Sequence, residues 1–89
     1  MAIETTETAY MSSILCNPLM LPSYAGLALF YMYLGSFDRA AQLCRDYDAA
    51  EQRLLSSNMN DLNYYDQEIK SNISTFREWI ELAKTELDI

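Results

Sequence analysis

The sequence predicts an all-α domain of three or four helices, in which an antiparallel hairpin packs against a long C-terminal amphipathic helix. Three observations predict it. Only two Gly and two Pro occur in 89 residues, too few breakers for a turn-rich β fold. Half of the residues are apolar, so the chain has the material for a core. Those residues recur at steps of three and four, most clearly toward the C-terminus. The length is enough for one domain spanning residues 1–89, with a thin stability margin.

The charges are unevenly placed. From Thr8 to Phe37 no residue is charged, whereas Asp38 to Ile89 carries eleven acidic and six basic residues. Pro18 and Pro22 interrupt the uncharged run, and Asn17 and Ser23 add polar cost. The run is therefore read as a buried helical segment and not as a membrane span, which needs about 20 predominantly apolar residues.

Residues 1–20 are expected to form a short helix over about Thr5–Leu15 or a partly disordered arm. Tyr10 and Ile14, with Met11 and Leu15, mark the face of that helix, and Cys16-Asn17-Pro18 ends it. The hairpin occupies residues 22–56. Its first helix runs from Pro22, suited to a first-turn position, to Leu34. Leu27, Phe30, Tyr31 and Leu34 form one stripe, yet Leu29, Met32 and Tyr33 lie off it. A helix apolar all round needs cover on more than one side. Gly35 supplies the left-handed turn and Ser36 a cap for the second helix, about Phe37–Ser56. Phe37, Ala40, Ala41, Cys44, Tyr47, Leu54 and Leu55 mark its inner face. Asp38, Arg39, Arg45, Asp46 and Arg53 mark the wet one.

The last helix is expected over residues 60–88, with Asn60 as cap. Leu62, Tyr65, Ile69, Ile73, Phe76, Ile80, Ala83 and Leu87 form a coiled-coil-like seam. Run without a break from Asp61 to Leu87, it would be about 40 Å long. Trp79 stands one position off the seam, as core packing or as an interface anchor.

Several chemistries are excluded or disfavoured. The net charge of −7 leaves no basic surface for nucleic acid. With no His there is no His-based triad, general base or metal ligand. Nothing reads as a phosphate-binding glycine loop. Asp46, Asp48 and Glu51 read as a solvated helix face, because a calcium loop needs more ligands and a turn glycine. Cys16 and Cys44 are read as small reduced hydrophobes of a reducing, cytoplasmic compartment, one disulfide being the alternative. Glu4 and Glu7 stand where a secretory signal needs basic residues. The expectation is no enzyme and no cofactor.

Tyr24, Leu27, Ala28 and Tyr31, then Leu34-Gly35-Ser36-Phe37, then Ala40 and Cys44, follow one order: aromatic, Leu and a small residue, aromatic, Leu-Gly-x-aromatic, Ala, bulky residue. This order resembles a single tetratricopeptide repeat. The late Ala of that family is Tyr47 here, and its closing Pro is missing near Glu51 to Arg53. The resemblance implies a close-packed helical hairpin. In size, acidity and architecture the chain is similar to small type III secretion chaperones of the needle-subunit class. It implies a groove along the first hairpin helix at Ala25, Leu29, Met32 and Tyr33, and a partner that presents an amphipathic helix. Tyr65, Ile69, Phe76 and Trp79 complete the candidate partner-binding set. Asp61-Leu62-Asn63-Tyr64-Tyr65 is similar to an Asp-Leu-x-Tyr-Tyr stretch of acidic immunity proteins, where a Pro follows in place of Asp66. The alternatives to a chaperone or adaptor are an inhibitor that turns its acidity against a basic target and a homodimer through the seam of the C-terminal helix.

Overall fold

In a computed structural model, which describes residues 3–89 with side chains from Thr5 onward, the chain forms five α-helices and no strand among the described residues. The expected disorder of the extreme N-terminus falls on Met1 and Ala2, outside the described residues. The helices are α1 (Ile3–Cys16), α2 (Leu21–Tyr33), α3 (Phe37–Ser56), α4 (Tyr64–Ser71) and α5 (Ile73–Leu87), with a 3-10 turn at Met59–Asp61. None of them is long and apolar enough to cross a membrane.

The α1–α2 linker is tied down by its own polar atoms. The Asn17 side chain accepts from the Leu19 amide (3.0 Å) and donates to Asp66 Oδ1 (2.7 Å). Tyr24 Oη donates to the Pro18 carbonyl. Pro22 sits in the first turn of α2, as its fixed φ and missing N–H favour. At the other end Gly35 takes a φ of 77°, and Ser36 N–H reaches back to the Tyr31 carbonyl while Gly35 N–H reaches Met32. That pair of bonds is a Schellman cap, and it turns the chain into α3 within three residues. Ser36 holds the N-cap position of α3, but its side chain makes no capping bond.

Two sequence expectations fail in the last third. Asn60 lies inside the 3-10 turn, and the cap is Asn63, whose side chain accepts from the Asp66 amide (2.8 Å). The single helix expected from Asp61 to Leu87 is broken at Asn72. The cause is local. The Asn72 side-chain amide donates to the Glu68 carbonyl, the acceptor that its own N–H would use in a continuous helix. That N–H goes to Ile69 instead. The total of five α-helices thus exceeds the three or four expected.

The core is centred on α2. Leu21, Ala25 and Ala28 of α2, Cys44, Tyr47, Ala50 and Leu54 of α3, Ile69 of α4, and Ile80 and Ala83 of α5 are buried together. Leu27 and Tyr31 join Ala40 in a second cluster. Helix α2 touches α1, α3 and α5. Tyr10 of α1 lies over Gly26, where a Cβ would stand 2.8 Å from its ring. The molecule measures 40 × 28 × 17 Å, so along its thin axis it is about two helices deep at a usual spacing of about 8–10 Å. A helix that is apolar all round does not find complete cover in a slab of that depth.

Candidate functional site

Helix α5 closes one side of α2. It brings Ile80 and Ala83 into the core beside Ala25, with Leu29, Met32, Phe76 and Leu87 packed around them. A polar clamp then fixes α5 to α3. Arg77 makes a two-pronged contact with Glu51, its Nε lying 3.1 Å from Oε2, and reaches Asp48 at 2.9 Å and Glu81 at 3.0 Å. Lys84 adds a 2.7 Å bond to Asp48. The Arg77 guanidinium also stacks 5.1 Å from the centre of the Tyr47 ring.

The clamp sets the local titration. Burial raises the Asp48 carboxyl, but Lys84 and Arg77 outweigh it and hold the group below the usual carboxylate range. Burial, reinforced by the neighbouring Glu51 charge, pushes the Tyr47 hydroxyl well above the usual tyrosine range. That hydroxyl is buried and has no partner in hydrogen-bonding geometry, although Glu51 lies close enough to influence it. Asp48 and Glu51 therefore do not form the solvated face expected of them, and Glu51 is only 6% exposed.

The opposite side of α2 is less well covered. Met11, Ile14 and Leu15 of α1, Tyr24, Leu27 and Tyr31 of α2, and Leu43 of α3 line an open hollow of about 170 Å³, and among the described residues Asp46 is its one charged wall residue. Met11 is 47% exposed and Leu15 81% exposed at its edge. Both were expected on the inner face of α1, yet only Tyr10 and Ile14 turn inward. At one end Arg39 pairs with Glu7 and lies 5.7 Å from the centre of the Tyr31 ring. Burial, then the Glu7 carboxylate, raises the Tyr31 hydroxyl.

The eight candidate partner-binding residues divide. Ala25 and Ile69 are core residues, and Leu29 and Met32 of α2 and Phe76 of α5 are half-buried against the core. Of the α2 face expected to form the groove, Ala25 is buried, Leu29 and Met32 are half-buried against the core and Tyr33 is exposed. Tyr33, Tyr65 and Trp79 are exposed at separate places in the chain, Trp79 in edge-to-face contact with Phe76. Sequence reasoning missed the α1–α3 hollow. The signal available was Met11 and Leu15 flanking Ile14 on a helix with little else to bury them.

Cys44 is buried and Cys16 exposed, and both are free thiols. Among the described residues no three His, Cys, Asp or Glu side chains are placed to hold a metal ion. Comparison of the chain with protein-family models, with curated proteins and with solved structures returns no match in any of the three.

Proposed function

We propose that this protein is a non-catalytic helix-binding module, a chaperone or adaptor that holds an amphipathic helix of another protein in the α1–α3 hollow. The observation that carries the reading is an apolar floor of Leu27, Tyr31 and Leu43 left open beside an exposed apolar rim of Met11 and Leu15. A cleft of about 170 Å³ is too small for a drug-sized ligand, whose pockets run about 300–1,000 Å³. It has the scale of one or two bulky side chains, the unit by which a helix anchors itself in a groove. A cytoplasmic secretion chaperone is the class the proposal favours, on its size, acidity and hairpin. Self-association through the C-terminal seam draws less support, since Ile69, Ile80 and Ala83 are already buried within one protomer.

The test is a photo-crosslinking residue at Leu15 in the native host, with one at Tyr33 as the reference position. A helical client joined at Leu15 and not at Tyr33 supports the reading, and mass spectrometry names it. Adducts only to a second copy of the chain would replace it with self-association. Adducts to a basic enzyme that lose yield steeply with salt would replace it with inhibition. No specific adduct at Leu15 would end it.

A further inference from the structure

Two carboxylates close to the core, Asp46 and the buried Asp66, lack an ion pair among the described residues; Asp66 is held by Asn17 (2.7 Å), and Asp46 is the one that lines the hollow. Glu7, Asp48, Glu51 and Glu81 are each paired with Arg39, Arg77 or Lys84. Asp46 makes no ion pair among the described residues. Its Oδ1 accepts only from the Gln42 amide (2.9 Å), and the Gln42 carbonyl is itself held by Arg45 (2.8 Å). Yet Asp46 is half-buried and lines the hollow beside Leu43, one turn away on α3. Its field reaches the floor. Burial first, and the Asp46 charge second, raise the Tyr24 hydroxyl, against an opposing pull from Arg53.

A half-buried carboxylate without a cation is solvated on its open side by water. Covering the hollow with an uncharged apolar surface would remove part of that water and give the carboxylate nothing in return, a modest cost at a partly exposed site. An occupant that brings its own cation removes the penalty. Resting on the helix-binding reading above, we propose that the helix seated in the α1–α3 hollow carries a Lys or Arg one turn from its apolar anchor, and that this side chain pairs with Asp46. The anchor fills the space over Leu27, Tyr31 and Leu43. Residues three or four apart share a helix face, so one face delivers both groups. Asp46 then selects against uncharged and acidic helices more than it adds raw affinity.

The test uses a displayed library of 16-residue peptides with Leu or Met anchors at helical spacing and randomised flanking positions, selected on the full-length protein. The expected result is enrichment of Lys or Arg at one flank position. Its replacement by Gln should weaken binding about fivefold, and so should Asp46→Asn. Selection on Asp46→Lys should enrich Glu or Asp at the same position. Binders with apolar anchors but no basic preference, bound equally by Asp46→Asn, would overturn the Asp46 pairing while leaving the groove intact. No enrichment, or binders held equally well by Leu15→Glu, would overturn the groove and the pairing together.

Discussion

Helix α2 has one closed side and one open side, and the two are built differently. On the closed side α5 supplies Ile80 and Ala83 to the core, and Arg77 and Lys84 bind the α3 carboxylates beneath them. On the open side α1 supplies Tyr10 and Ile14, leaves Met11 and Leu15 outward, and is joined to α3 by the Arg39–Glu7 contact (3.6 Å), with Arg39 largely exposed. The difference shows how a short chain with an all-round apolar helix divides its cover. One face receives both apolar packing and a partly buried ion network, and the other receives a partial lid. Stability concentrates on the first, and the proposed recognition falls on the second.

The largest effect is expected at the clamp. Arg77→Met should lower stability by about 3 kcal/mol, because it leaves Glu51 buried without a cation. That corresponds to a melting temperature lower by roughly 12–24 °C for a domain of this size, read by calorimetry or circular dichroism. Glu51→Gln in the same chain should restore part of the loss. A loss under about 1 kcal/mol would place the closure of α2 in Ile80 and Ala83 alone.

Acid should weaken the closed side next. Asp48 titrates below its unfolded value of about 3.9, so its stabilisation is complete above that pH and is lost as pH falls through the lower folded value. Denaturant midpoints measured between pH 6 and 2.5 should fall below about pH 4, and Asp48→Asn should flatten that part of the profile. An unchanged profile would show that Lys84 and Arg77 do not hold Asp48 in solution.

A smaller effect is expected at Tyr47. Tyr47→Phe removes a buried hydroxyl that has no hydrogen-bond partner, so it should be neutral or stabilising by up to about 1 kcal/mol at neutral pH. The native hydroxyl titrates above its unfolded value, so from about pH 10 upward the unfolded chain ionises it more readily and the native protein loses stability. The Phe variant should hold its stability further into alkali, as urea midpoints at pH 9 to 11 would show. A clear loss at neutral pH would mean that the hydroxyl is bonded after all.

The smallest change in stability belongs to the open side. Leu15→Glu alters a residue 81% exposed and should move the denaturation midpoint by less than about 0.5 kcal/mol, while abolishing capture of a helical client. A large loss of stability would mean that Leu15 helps to cover α2, and the contrast between the two sides would fail.

Much of the fold was legible along the chain. Pro22, Gly35 and the three- and four-residue spacing placed α2 and α3 within a residue or so of their observed ends. Ile69, Ile80 and Ala83 were legible as inward positions of the last segment. Asn72 was not legible as a break, because the seam runs through it unchanged and only the competition for the Glu68 carbonyl reveals it. The site was less legible. The off-stripe residues Leu29 and Met32 correctly marked α2 as needing a second cover, but nothing near them in the chain tells whether α5 or another protein provides it.

What the sequence by itself determined is therefore the helical class, the hairpin turn and the surplus of apolar surface on α2. Those depend on backbone conformations and side-chain spacings within a turn or two. What only the tertiary structure decided is which face of α2 is closed, that Asp48 and Glu51 serve a clamp, and that Asp46 borders a hollow. Each of those depends on residues as far apart as Glu51 and Arg77 or Leu15 and Leu43. Their meeting is set by how whole helices pack and not by any local pattern.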